Sequence, residues 1–196
     1  MQLLVLPFII LNMLAGLVGG AAMLFQGEWT AFFLGLAWML VGAFALSLAL
    51  VPGMIFLPIV KWAAERESMP LMLIAGIPAM IWTYVVIAIS CVVVFAAIIN
   101  NSGVGLFQML WGYAAATGPW SFLARKDAEA GNDQASMPAF FSQLGVIAMM
   151  VVTFINPDGT DFFTLIYWFA PVLGIGLVLQ LFVLWVETKN ARRGYW

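Results

Sequence analysis

The sequence predicts an all-α, polytopic integral membrane bundle of six transmembrane helices with both termini in the cytoplasm. Three observations predict it. The first is composition: of 196 residues, 65% are hydrophobic and 8% charged, against about 45–50% and about 25% in soluble domains. A chain this small cannot hide so much apolar surface from water, so lipid has to be its solvent. The mean hydropathy of +1.07 agrees. The second is length: six apolar stretches each approach or exceed the roughly twenty residues that a spanning helix needs. The third is charge: the seven Lys and Arg all fall in alternate connections.

The first stretch, 3–25, runs from Leu3 to Phe25. It is read as a retained span, because no basic segment precedes it and its apolar run is too long for a signal peptide. Gly16 and Gly20 form a GxxxG pair there, offset by Ala15 and Gly19, the spacing that lets helix backbones approach. The second stretch, 31–60, exceeds what a bilayer needs. Pro52, Gly53 and Pro58 interrupt it, and Gly42, Ala45 and Ala49 line one face. The third, 71–99, is also long and holds Pro78.

The fourth stretch, 104–124, is the least lipid-like, with Gly105, Gln108, Gly112, Tyr113, Thr117 and Gly118 along it. A helix so poor in bulky aliphatics is unsuited to face lipid on all sides, so it is expected inside the bundle. Gly118-Pro119 is expected to bend its end, with Trp120 at the membrane interface. The fifth and sixth stretches, 139–155 and 162–186, complete the set. Gly174 is expected on a packing face of the last, with Gly176 round the side.

Lys61 and Arg66 follow the second stretch, Arg125 and Lys126 the fourth, and Lys189, Arg192 and Arg193 the sixth. The other connections carry only Glu28, Asp158 and Asp161. Lys and Arg favour the cytoplasmic side, which sets both termini inside. A missed or invented span would break this alternation. The segment 125–138 is expected as a cytoplasmic loop, its first part continuing the fourth helix, 131–133 turning, and Ser136 opening the fifth. Residues 187–196 form a cytoplasmic tail, and the expected location is the inner (plasma) membrane of a bacterium.

The chemistry of the chain is sparse. There is no His and one Cys, Cys91, within an apolar run. This removes the commonest general base, the commonest zinc ligand and any intrachain disulfide. No ionisable side chain falls near mid-span, which weighs against ion-coupled transport through a central carboxylate and against intramembrane hydrolysis. "NPDGTD", 156–161, reads first as a turn. No enzymatic activity, metal or cofactor is expected, and no basic stripe suits nucleic acid.

The remaining candidates are neutral. Counting depth from span centres places Asn12, Ser47, Thr83 and Tyr113 near the midplane, with Thr117, Gln180 and Gln108 further out. Their simplest use is interhelical hydrogen bonding. The sharper one is convergence on a small polar cavity beside helices broken at Pro52, Pro58, Pro78 and Pro119. The leading expectation is a non-catalytic transmembrane subunit or scaffold, partnered by the bilayer and by other membrane subunits or copies of itself. The alternative is a small transporter or channel for a neutral or zwitterionic solute.

Overall fold

A computed structural model describes residues 2–66, 69–130, 136–158 and 160–191. Among them are seven helices and no strand: α1 Gln2–Gln26, α2 Trp29–Met54, α3 Leu57–Glu65, α4 Met69–Ser102, α5 Leu106–Glu129, α6 Ser136–Ile155 and α7 Phe162–Ala191. Five of these, α1, α2, α4, α6 and α7, are long and apolar enough to cross a membrane. The exception among the long helices is α5, the expected fourth span. Its length of 24 residues suffices, but hydroxyls, glycines and the charged stretch after Ala124 lower its apolarity.

The joints follow from local chemistry. Gly27 takes φ +76°, and Gly27 N–H and Glu28 N–H donate back to the carbonyls of Leu24 and Met23. That double bond from a left-handed glycine closes the last turn of α1 and turns the chain into α2. Gly103, at φ +79°, does the same for α4 with a single bond to Ile99 O. At the start of α7, the Asp161 carboxylate accepts from the N–H groups of Phe163 and Thr164, which have no partner within the helix.

Of the breaks expected at prolines, the helices show one, in the second stretch, and none at Pro78 or Pro119. The second stretch is not one helix: α2 ends at Met54 and α3 starts at Leu57. Pro52 and Pro58 bracket the break, each lacking the N–H that would have bonded four residues back. By contrast α4 runs through Pro78 and α5 through Pro119, as α1 and α7 run through Pro7 and Pro171. A proline's freed carbonyl does not by itself end a helix; Pro119 frees Ala115 O, and at the next carbonyl, Ala116 O, Cys91 Sγ–H donates weakly from α4. Across the expected loop 125–138, α5 continues to Glu129 and α6 begins at Ser136, in keeping with the sequence reading of its two ends. The expected turn at 131–133 lies outside the described residues.

α5 is the hub, packed by α1, α2, α4 and α6. Close approaches fix the directions. Gly35 lies against Trp111 and Gly42 against Pro119, so α2 and α5 run parallel. Asn12 meets Thr117 while Gly19 meets Trp111, so α1 runs antiparallel to α5. Gly112 meets Phe95 while Trp120 meets Ser90, so α4 is antiparallel to α5 too. The result gathers Lys61, Arg66, Arg125 and Lys126 at one end of the bundle. Glu28 and Asp161 lie at the other, where Thr160 hydroxyl donates to Asn100 Oδ1. The outward faces are apolar: Phe25, Leu40, Phe44, Phe154, Phe163 and Val178 are all exposed, as a bilayer allows and water does not.

Trp111 is the keystone of this packing. A Cβ on Gly35 would come within 2.5 Å of its indole nitrogen, and one on Gly19 within 2.6 Å of its backbone nitrogen. Its Nε1–H donates to Ala31 O at 3.0 Å, and its ring stacks on Phe32. At α7 the expected roles of two glycines are exchanged. Gly176 packs against Phe141, whereas Gly174 faces open space.

Candidate functional site

The neutral polar side chains concentrate along α5. Asn12 on α1 donates from Nδ2 to Thr117 Oγ1 at 2.6 Å and to Ala114 O at 3.3 Å. Thr117 Oγ1–H in turn donates to Tyr113 O at 2.7 Å. One turn on, Ser121 Oγ–H donates to Thr117 O at 3.1 Å and accepts from Gln143 Nε2 of α6 at 2.6 Å. On the α4 side, Trp120 Nε1–H donates to Ser90 Oγ at 3.2 Å. With the Trp111 indole bond to Ala31 O of α2, side-chain hydrogen bonds tie α5 to four neighbours, and Thr117 is wholly buried.

Of the candidates read from sequence, this arrangement unites Asn12 and Thr117, reaches Tyr113 only at its backbone carbonyl, and leaves the rest apart. Ser47 and Thr83 each donate to a carbonyl one turn back, Ala43 and Ala79 respectively. A Ser or Thr in a helix can satisfy itself this way, so mid-span depth alone does not imply a shared site. Gln108 pairs with Gln26 at the acidic end of the bundle. On α7, Gln180 Oε1 is buried without a partner among the described residues. Tyr113 Oη and Gln143 Oε1 are likewise buried and unpartnered among the described residues.

Sequence reasoning missed Ser90, Trp120, Ser121 and Gln143. Trp120 is the clearest correction: it was expected at the membrane interface but is buried, with its indole bonded inside the bundle. The signal was present in part. Thr117, Trp120, Ser121 and Ala124 recur at three- and four-residue intervals, the stripe of an inward face. Gln143 was equally visible, as an amide early in an apolar span.

The bundle also carries a groove of about 860 Å³ between α2 and α4. Its walls are Leu, Val, Ile and Ala, with Trp38 and Trp82 on either side, and it spans Leu34–Ala49 and Trp82–Ala97. Its one hydroxyl, Ser90, already donates to Ile87 O and accepts from Trp120. Trp82 Nε1–H is bonded to Ala49 O, and Trp38 Nε1 is covered and unpartnered. Such a surface offers nothing to hold a polar solute and much to an apolar one.

Arg125 and Glu129 pair at 2.8 Å, one turn apart and exposed, a contact of small energetic weight. Compared with known protein families, curated proteins and solved structures, the chain matches none.

Proposed function

We propose that this protein is a non-catalytic transmembrane subunit or scaffold of a membrane assembly. One observation carries the reading: Asn12 and Thr117, with Ser121 and Gln143 beside them, are spent on joining helices, while the broad concavity of the bundle is apolar. A transport site needs polar groups that face a shared opening. Here Asn12, Thr117, Ser121 and Gln143 face one another. In this reading α1, α2, α4, α5, α6 and α7 are six spans, α5 being shielded from lipid by its neighbours. The end bearing Lys61, Arg66, Arg125 and Lys126 faces the cytoplasm, and both termini lie on that side.

Purification from native membranes in mild detergent, followed by intact-complex mass spectrometry, tests the reading. Other integral membrane polypeptides in fixed stoichiometry are expected. A stable homo-oligomer with no second polypeptide overturns it. The alternative, a small channel or transporter for a neutral solute, draws on the unpartnered Tyr113 Oη and Gln143 Oε1. It predicts solute flux into proteoliposomes that Tyr113→Phe reduces at least tenfold. The subunit reading predicts flux no greater than that of empty vesicles.

A further inference from the structure

The short helix α3 is unlike the others. Ala63 is fully buried on its inner side, where the helix packs on α4, while Ile59 and Trp62 are exposed. The exposed positions continue a stripe from α2. Leu40, Phe44, Leu48 and Val51 on α2, then Ile55, Ile59 and Trp62, recur every three or four residues with no polar interruption. A stripe that crosses a break in the helix with unchanged chemistry faces one continuous apolar medium on both sides of the break.

Length decides where in that medium α3 sits. α2 alone has 26 residues, about 39 Å at 1.5 Å per residue, against a hydrocarbon core of about 30 Å. Tilt absorbs some of the excess, but a straight continuation would carry Ile59 and Trp62 into water. The end of the stripe is marked by Arg66, whose guanidinium carbon lies 4.3 Å above the Trp62 ring. A guanidinium stacked by its face keeps its N–H edges turned outward, where they suit phosphate oxygens. Phe122 and Lys126 repeat the pairing at the same end of the bundle, on α5, at 5.7 Å. An exposed aromatic four residues before a cation is the chemistry of the boundary between acyl chains and headgroups.

We propose that α3 is an interfacial helix, its Ile59–Trp62 face, with Ile55 in the turn before it, lying among the upper acyl chains of the leaflet at the Lys/Arg-rich end, with Lys61 and Arg66 at the phosphates. Glu65 and Glu67 keep the segment near neutral, so apolar contact rather than net charge holds it there. The occupant of this face is lipid. The inference rests on the spanning reading above and adds to it a second mode of membrane contact, at the headgroup boundary, after the break between Pro52 and Pro58.

The test is site-directed spin labelling in proteoliposomes of phosphatidylethanolamine and phosphatidylglycerol, in a Cys91→Ala background. Labels go at Ile59→Cys and Ile55→Cys on this face, and at Phe44→Cys in mid-α2. Collision with oxygen is compared with collision with a water-soluble nickel chelate. Oxygen should dominate at all three positions, with residue 59 shallower than residue 44. If residue 44 favours oxygen while 55 and 59 favour nickel, α3 stands in water and the inference fails although the spanning reading holds. If 55 and 59 exclude both, a second copy of the chain covers the face and the inference again fails. Should residue 44 also favour nickel, the spanning reading itself falls. Either label serves if the other variant does not fold.

Discussion

Asn12 is joined to α5 through one hydroxyl, so Thr117→Val tests what that contact contributes. The valine keeps the volume and removes both the acceptor for Asn12 and the donor to Tyr113 O. Hydrogen bonds between helices in membranes contribute around 1 kcal/mol or less, so a loss of about 1 kcal/mol is expected in reversible unfolding from mixed micelles. Glycines give a sharper contrast. Gly35→Ala sets a methyl against the Trp111 indole nitrogen and should cost roughly 1–3 kcal/mol by overpacking. Gly174→Ala meets nothing within 4 Å and should be neutral or stabilising by up to about 1 kcal/mol, the propensity difference. Thermal unfolding of the two variants side by side checks both.

At this scale the sequence was readable where a residue has one physical option and misleading where it has two. An amide deep in a helix has few options, and Asn12 found Thr117, although Gln180 Oε1 is buried without a partner among the described residues. Ser47 and Thr83 had their own helix available, and hydroxyl depth could not separate them from Thr117. The Gly174 and Gly176 exchange has a similar cause. Both glycines stand in one apolar run, and only the rotation of α7 about its axis decides which one meets Phe141.

Among the elements, α7 depends on its first turn, and pH reaches it there. Asp161 is held below the ordinary aspartate value of 3.8, first by the Thr164 side chain and backbone and then by Phe163 N–H. A depressed carboxylate supports the fold above its ordinary pKa. The support fades as pH falls through the lowered folded-state value, so the acidic side is the sensitive one. Amide exchange at Phe163 and Thr164, corrected for intrinsic rates, should therefore accelerate on acidification below about pH 3.8. Asp161→Ala should show the same acceleration at neutral pH, whereas Asp161→Asn, which keeps an acceptor, should show less. Unchanged exchange in the alanine variant would remove the cap from the account.

The helices themselves were largely legible, because apolar runs and terminal glycines are local signals. The break between α2 and α3 was half legible: excess length and two prolines were visible, but equivalent prolines in α4 and α5 sit in unbroken helix. Exposure of the proline does not separate the cases: Pro119 is buried and packs against Gly42, but Pro7 and Pro171 are exposed within unbroken helices, as Pro52 and Pro58 are beside the break.

For the molecule as a whole, the arrangement of charge gives the most direct prediction. With six spans, single cysteines at Glu28 and Asp158 should react with a membrane-impermeant maleimide from outside intact cells. Cysteines at Arg66 and Arg125 should react only after permeabilisation. Equal labelling of both sets would end the six-span arrangement. The central position of α5 was legible from its shortage of aliphatic side chains, which is an argument about solvent. Its neighbours were not, since choosing among them takes the fit of Trp111 into Gly19, Gly20 and Gly35.

That fit bears on how the chain is made. Synthesis proceeds from the N-terminus, so α1, α2 and α4 are delivered to the bilayer before α5 emerges. In the six-span reading, the least apolar long helix therefore enters a membrane that already holds the glycine notches and the Ala31 carbonyl that will receive its tryptophan. Until it arrives, the Asn12 amide has no acceptor on α5 and the notches in α1 and α2 stand open. The hub of the finished bundle is a late guest in its own fold, and a nascent chain halted before Leu106 is the species most exposed to quality control.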